Sequence, residues 1–330
     1  MRSLRPASTR SRPSPVHTGH YRRGSVSPLA PSGEQFEIAL GEQRATIVEV
    51  GGGIRQYSSA GRDVLDPYPL EAICDGAHGA PLIPWPNRLA DGAYRFDGND
   101  YQLPLSEPGK HNASHGLLRW RAWRPIEHQS DRVVMGIRLY PMPGYPFALD
   151  LEIDYALSEE GLAVATTATN IGECPCPYGT GQHPYISAGT GLLDECELQF
   201  AAATLITVDA QRSLPVGREP VAGSAVDFSR PRRIGAQKLD LAFTELERDD
   251  AGLAWVRLTA PDGHCTELWL DEHYSFLQLY TGDTLAPDRR RRGLAAEPMS
   301  CAPNAFQSGV GLVRLEPGQA IATRWGVRLR

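Results

Sequence analysis

The sequence lacks the features that mark membrane-spanning and nucleic-acid-binding proteins. Its 330 residues contain no apolar run of about 18 residues, the length that a transmembrane helix needs. Positive charge is not in excess either, since 33 basic and 39 acidic residues give a net charge of −6. A dedicated nucleic-acid-binding domain is distinctly basic. We therefore predict a protein that neither spans a membrane nor binds nucleic acid.

Cysteine is scarce, and its spacing argues against two kinds of site. Six cysteines in 330 residues do not make the dense disulfide framework of a small secreted domain. Cys174 and Cys176 are too close for an ordinary disulfide, and no second pair follows at zinc-finger spacing. We expect free thiols in a reducing cytoplasm, with no metal site and no cofactor.

Helical periodicity is also missing, and the recurrent pattern from Phe36 onward has a period of two. In residues 149–155 apolar side chains alternate with acidic ones, which is typical of a strand with one buried and one solvated face. Turn residues at 97–100 and 261–263 predict two hairpins, and Phe276–Tyr280 predicts a further strand. The pattern indicates an all-β protein of many antiparallel strands.

The N-terminal segment differs in composition from the rest of the chain. Residues 1–27 are rich in Ser, Pro and Arg, and hold six arginines and no acidic residue. Such a segment cannot bury enough apolar surface to offset the entropy of ordering, so we predict a disordered basic tail. No interior linker or fixed-period repeat divides the remainder, which predicts one β domain over residues 28–330.

Polar clusters stand between the predicted strands, in loops of the kind that often carry function. Each has an ordinary explanation when taken alone: a loop histidine beside glycine is usually a turn residue, and an Asn-Arg pair is usually a surface loop. Five clusters follow one another along the chain: Asn87-Arg88, His115-Gly116, His183-Pro184-Tyr185, Asp240 and Glu297.

In this order the clusters resemble the aldose 1-epimerase (galactose mutarotase) family, and the resemblance covers residues 51–328. The phrases at 84–89 and 315–318 are also similar to family members. Two departures stand out. Position 186 is isoleucine where many members have phenylalanine, and Glu297 stands in a Glu-Pro-Met-Ser-Cys context that resembles the more distant bacterial branch.

The resemblance implies a fold, a ligand and a set of roles. The fold would be a β-supersandwich of large twisted antiparallel sheets, with a cleft for a monosaccharide and no cofactor. Glu297 would be the general base that takes the proton from O1, and His183 the general acid that protonates the ring oxygen O5. The supporting residues would be His115 beside O5, Arg88, Asp240 and Tyr185 against the sugar, and Asn87 fixing the loop of Arg88.

Mutarotation chemistry itself accounts for a carboxylate paired with an imidazole. Interconverting the α and β anomers of a free aldohexose requires opening the cyclic hemiacetal, rotating about C1–C2 and closing on the other face. One group takes a proton from O1 while another gives one to O5, and each positioned transfer contributes about 10²–10⁴ in rate. These roles require an ionised Glu297 and a protonated His183.

Three alternatives remain open. The run Arg289, Arg290, Arg291 and Arg292 would suit a sugar phosphate, as in the hexose-6-phosphate 1-epimerases, or is a solvated loop. A non-catalytic carbohydrate-binding protein would keep the fold but has no need of Glu297 and His183. A glycoside hydrolase would need two carboxylates beside the scissile bond; Asp240 and Glu297 qualify, but two histidines are then left without a role.

Overall fold

The computed structural model describes residues 29–189 and 191–330. The predicted tail at residues 1–27 lies outside the described residues, so its disorder remains a prediction, as does the single domain over residues 28–330. No helix in the described ranges is both long and apolar enough to cross a membrane.

The first half of the described chain contains these strands, in chain order: β1 (Gln35–Leu40), β2 (Gln43–Val48), β3 (Ile54–Ser59), β4 (Arg62–Leu65), β5 (Pro81–Leu82), β6 (Arg88–Ala90), β7 (Ala93–Phe96), β8 (Asn99–Gln102), β9 (Asn112–Ser114), β10 (Arg124–His128), β11 (Arg132–Leu139), β12 (Leu149–Ser158) and β13 (Gly161–Asn170). A 3₁₀ turn, Pro108–Lys110, precedes β9.

The second half continues with these elements: β14 (Cys176–Tyr178), β15 (Gly181–Gln182), β16 (Tyr185–Ile186), β17 (Glu197–Gln199), β18 (Ala202–Val208), β19 (Pro215–Pro220), β20 (Arg232–Arg233), β21 (Asp240–Leu246), β22 (Ala254–Thr259), β23 (Cys265–Leu270), β24 (Phe276–Tyr280), β25 (Leu294–Met299), α1 (Ala305–Ser308), β26 (Val313–Leu315) and β27 (Ala320–Leu329). A 3₁₀ turn, Leu193–Glu195, precedes β17.

Two large sheets organise these strands. The 12-stranded sheet runs β1-β2-β3-β4-β16-β25-β24-β21-β18-β19, with β15 and β5 attached beside β25. The nine-stranded sheet runs β10-β11-β12-β13-β27-β23-β22-β17-β20. Two-stranded ribbons complete the described fold, formed by β14 with β26, β6 with β9, and β7 with β8.

The core is formed by the inward faces of both large sheets. One continuous apolar cluster joins Ile47 and Tyr57 of the 12-stranded sheet to Ile153 and Val164 of the nine-stranded sheet. Strands such as β12, β22 and β23 contribute every second side chain, because successive side chains point to opposite faces. This shared core and the antiparallel sheets confirm the predicted all-β supersandwich.

The strongest alternating pattern forms the strand that it predicts. In β12 the apolar residues at 149, 151, 153 and 155 are buried, and Glu152 between them is exposed. The hairpin β22–β23 and the strand β24 are also confirmed. The hairpin β7–β8 forms with a tighter turn than predicted, because Asp97 and Gly98 both adopt positive φ angles, 49° and 80°, which suit a two-residue turn.

Candidate active site

A cleft of about 750 Å³ opens on the 12-stranded sheet, within the size range of small-molecule sites. Its lining brings together residues that lie more than two hundred positions apart in the chain. All seven site residues predicted from the sequence line it: Asn87, Arg88, His115, His183, Tyr185, Asp240 and Glu297.

Strand pairing brings His183 to Glu297. Gly181 of β15 pairs with Met299, and Tyr185 of β16 pairs with Ala295, both on β25. His183 lies midway between the two paired residues, as Glu297 does on β25, so the antiparallel register sets the two opposite each other. Directly opposed residues project on the same face of a sheet, and this is the face that borders the cleft.

His183 and Glu297 contact each other directly. The imidazole Nε2 of His183 lies 3.2 Å from Oε1 of Glu297, and the two residues are only 5% and 2% exposed. The second carboxyl oxygen of Glu297, Oε2, is buried and has no hydrogen-bond partner among the described residues. An unpaired buried oxygen is costly in a structural position, so this carboxyl group is poised for a further partner.

The neighbouring strands place a polar row beside Glu297. Gln278 of β24 pairs with Glu297 and with Ala242 of β21, two residues beyond Asp240. Gln278 donates from Nε2 to Oδ1 of Asp240 at 2.6 Å, and its Oε1 accepts from Nδ2 of Asn87 at 3.3 Å. The amide therefore fixes the exposed carboxylate of Asp240 relative to the buried end of the cleft.

The ribbon β6–β9 carries the next part of the site. Asn87 and His115 both adopt left-handed backbone conformations, with φ of 54° and 60°, at the same end of the ribbon. The backbone N–H of His115 donates to the carbonyl oxygen of Asn87 at 2.9 Å. Gly116 follows at φ 71°, where a Cβ would approach the carbonyl oxygen of Ile83 to 2.0 Å. Only glycine fits at this position, which explains why glycine follows His115 in this loop.

Arg88 is held by two groups of the protein. Its backbone N–H donates to Oδ1 of Asn87 at 2.8 Å. Its guanidinium forms a two-pronged ion pair with Glu107, with Nε at 2.9 Å and Nη2 at 3.3 Å from the carboxylate oxygens. This bidentate geometry fixes the plane of the guanidinium.

Burial dominates the electrostatics of the acid–base pair. It raises the pKa of Glu297 well above its ordinary value of 4.5, with a further rise from Asp240, while Arg88 and Arg119 act in the opposite direction. Burial also lowers the pKa of His183 to about 3, and nearby His78 and Arg119 add to the effect. Both shifts favour the uncharged forms.

These pKa shifts act against the charges that the proposed roles require. Sequence reasoning requires an ionised Glu297 and a protonated His183, whereas burial favours the uncharged carboxyl group and the neutral imidazole. Both arrangements hold one proton on the pair, and transfer across the 3.2 Å contact interconverts them. Which of the two atoms holds the proton is therefore an internal equilibrium of the pair.

His115 completes the imidazole part of the site. Its ring lies 5.4 Å from that of His183, edge to face. Burial lowers its pKa well below 6.5, and the positive charges of Arg119, His183 and Arg88 reinforce this. A neutral imidazole can donate one hydrogen bond and accept another, as a group that supports proton transfer must.

Three stacked rings extend from His183, the partner of Glu297. Tyr185 stacks on His183 with centroids 5.1 Å apart, and His78 stacks on the other side of Tyr185 at 3.7 Å. The hydroxyl of Tyr185 donates to the carbonyl oxygen of Gly76 at 2.8 Å. Asp66 fixes the far end, since its Oδ2 lies 3.1 Å from Nε2 of His78.

Within the arginine run, Arg289 anchors this stack, and none of the four arginines faces the cleft. Arg289 donates to Oδ2 of Asp66 at 2.9 Å and lies 3.3 Å from Nε2 of His78. Arg291 pairs with Asp194 at 2.6 Å and Asp283 at 3.0 Å. None of the four arginines is among the described residues that line the cleft. Of the two interpretations left open for this run, the phosphate site gains no support, because its charges are used within the protein or face solvent.

Sequence reasoning missed several lining residues. Arg119 lies just after the His115-Gly116 motif, so its position in the sequence was enough to suggest a place in the site. Nothing in the sequence marks Gln278, because only the strand register brings it to Glu297. Of the aromatic residues near the motifs, Trp120 lines the cleft and is 57% exposed. Trp85 is core, packed 5.3 Å from Phe306, and Trp269 is not a lining residue.

The described histidines and carboxylates of the cleft do not form a group of three that is close enough to share a metal ion. Among residues 29–189 and 191–330, one group of three is close enough to share an ion, namely Asp271, Glu272 and His273, and none of the three lines the cleft. His111 stands four positions before His115, a spacing that metal sites use, but it is exposed and does not line the cleft either.

Known proteins are similar to this chain over most of its length. The sequence model of the aldose 1-epimerase family matches residues 34–327. Protein YihR of Escherichia coli K12 is 36% identical over 289 residues, which cover 87% of this chain and 91% of YihR. The aldose 1-epimerase of the same strain is 27% identical over 171 residues, 49% of this chain and 47% of the enzyme.

Solved structures share the fold. A putative aldose 1-epimerase from E. coli K12 superposes with a TM-score of 0.77 at 20% identity, covering 90% of this chain and 99% of the other. The GalM/aldose epimerase homologue from C. elegans gives a TM-score of 0.79 at 18% identity, covering 90% and 98%.

Proposed function

Because the chain belongs to the aldose 1-epimerase family, we propose that it interconverts the α and β anomers of an aldohexose by general acid–base catalysis, as a cytoplasmic isomerase. The observation that carries the proposal is the 3.2 Å contact between His183 and Glu297 inside the cleft. O1 and O5 of an aldopyranose are bonded to the same carbon. An acid and a base that act on both must therefore be immediate neighbours.

The reaction needs one proton on the pair. Transfer from Glu297 to His183 gives a carboxylate and an imidazolium. The carboxylate takes the O1 proton as the C1–O1 bond becomes a carbonyl, and the C1–O5 electron pair moves to O5, which takes the proton of His183. After rotation about C1–C2, closure on the other face reverses both transfers, so the pair ends as it began.

The other lining residues supply binding and orientation. Arg88 and the exposed carboxylate of Asp240 would hold sugar hydroxyls, replacing hydrogen bonds that the sugar loses with its water. Asn87 would fix Arg88 through the bond to its backbone N–H. His115 would support transfer at O5, and Tyr185 would hold the plane of His183 by stacking.

The direct test is the rate of anomer equilibration. Freshly dissolved α-D-glucose and α-D-galactose are followed by polarimetry, and exchange between anomeric protons at equilibrium is followed by NMR. We expect acceleration above the buffer rate that is proportional to protein concentration. A protein that binds these sugars without accelerating equilibration would be a carbohydrate-binding protein, and the epimerase proposal would be wrong.

A further inference from the structure

Three cations line the cleft in the described chain, and they differ in what they bind. Arg88 is paired with Glu107, and Lys110 donates to the hydroxyl of Ser213 at 3.0 Å. Arg119 forms no hydrogen bond or ion pair with a residue in the described ranges, and its guanidinium carbon lies 5.8 Å from the centre of the Trp120 ring. Its guanidinium is therefore the uncommitted charge of the cleft.

The environment of Arg119 makes an unpaired guanidinium costly. The side chain is half-buried, and desolvation lowers the pKa of Arg119. The acids that act on it electrostatically are already engaged, because Glu107 holds Arg88 and Glu297 contacts His183. A half-buried charge without a counter-charge is partly desolvated, and an anion that entered the cleft would pair with it.

The charge of Arg119 also lies near a defined part of the proposed substrate. Arg119 lines the same cleft as His115 and His183, and its positive charge contributes to the lowered pKa of both imidazoles. In the proposed reaction His183 acts at O5, and O5 is bonded to C5, which carries C6. A substituent on C6 would therefore lie on the side of the imidazoles and Arg119.

We propose that Arg119 binds an anionic group on C6 of the sugar, so that the preferred substrate is an aldohexose bearing a carboxylate or a phosphate there. This inference rests on the proposed function, which orients O5 towards His183. A planar guanidinium can donate two parallel N–H hydrogen bonds, which matches the geometry of both a carboxylate and a phosphate. The sugar-phosphate alternative thus keeps a physical basis, at Arg119 instead of the arginine run.

Binding without turnover tests the inference. In a Glu297→Gln background, titration calorimetry at low ionic strength compares D-glucose, D-glucuronate and D-glucose 6-phosphate. We expect at least one anionic sugar to bind about 10–100-fold more tightly than glucose, the size of a charged hydrogen-bonded contact. The advantage should shrink with added salt. The two anionic sugars show whether the carboxylate or the phosphate is preferred.

Substitutions test whether Arg119 is the residue that binds the anionic group. Arg119→Gln in the same background should remove most of the preference, whereas Arg290→Gln, an exposed arginine outside the cleft, should keep it. Equal binding of all three sugars would overturn the inference, and so would an Arg119→Gln variant that weakens glucose and the anionic sugars equally. Turnover by the wild-type protein is measured separately: Arg119-dependent binding without turnover would contradict the proposed epimerase while supporting this site.

Discussion

Nε2 of His183 and Oε1 of Glu297 lie 3.2 Å apart, although more than a hundred residues separate them in the chain. The proposed reaction requires this pair to hold one proton. A pair with two protons cannot act as base, and a pair with none cannot act as acid. The useful pH range is therefore bounded by the binding of the second proton and the loss of the last one.

The pKa shifts predict where these limits fall. Unshifted groups would restrict activity to the range between the ordinary pKa values of 4.5 for Glu297 and 6.5 for His183. Because burial lowers the pKa of His183 to about 3, the second proton binds only below pH 4.5. We expect kcat/KM, corrected for the buffer reaction, to persist at pH 4, with circular dichroism confirming that the protein is folded. Loss of activity centred near pH 4.5 in a folded protein would contradict the shift.

Removing the proton-carrying carboxyl group should abolish catalysis. Glu297→Gln keeps the shape of the side chain but cannot take the O1 proton, so we expect kcat to fall by about 10²–10⁴. His183→Asn should be impaired on the same scale. Polarimetry measures both, and unchanged thermal unfolding serves as the control for fold. Near-normal turnover by the Glu297→Gln variant would exclude this residue as the base.

Asp240 should affect both binding and the alkaline limit. Its negative charge raises the pKa of Glu297, so Asp240→Asn should lower that pKa and move the alkaline limb of the pH profile to lower pH. KM should rise as well, because a hydroxyl-binding carboxylate is lost. Asn can still accept from Gln278, so the strand geometry is kept. An unchanged alkaline limb would show that the charge of Asp240 does not act on the pair.

Two neighbouring arginines provide a matched test of the ring stack. Arg289→Gln removes the anchor of Asp66 and His78, so Tyr185 and His183 should lose alignment. Because small misplacements of catalytic groups can cost up to about 10² in rate, we expect kcat to fall more than KM changes. Arg290→Gln is the control, since Arg290 is exposed and its Nε donates only to the carbonyl oxygen of Leu285. Equal kinetics in the two variants would rule out a positioning role for Arg289.

Much of the fold was predictable because strand patterns are local. Alternation in residues 149–155 and the turn at 261–263 depend on neighbours in the chain, and β12, β22 and β23 form there. The turn predicted at residues 97–100 contains the observed turn at Asp97–Gly98 but is two residues too long. Residue identity does not reveal the positive φ of Asp97, which makes the two-residue turn possible.

The site was predictable as a set of motifs but not as an arrangement. Family resemblance selected Asn87, His115, His183 and Glu297, which the fold brings to one cleft. It could not find Gln278, whose place opposite Glu297 depends on the register of β24 and β25. The role of the arginine run stayed open at the sequence level, because Asp66 and Asp194, which pair with Arg289 and Arg291, lie far away in the sequence.

The amino-acid sequence by itself determined the antiparallel all-β class, the family and the chemical types of the groups available for catalysis. These depend on periodicity and on residue identity. Only the tertiary structure decided which charges are paired within the protein and which arginine faces the cleft without an ion-pair partner in the described ranges. It also decided how burial shifts the pKa values of His183 and Glu297. Those properties depend on desolvation and on distances between strands that are remote in sequence, and no local pattern encodes them.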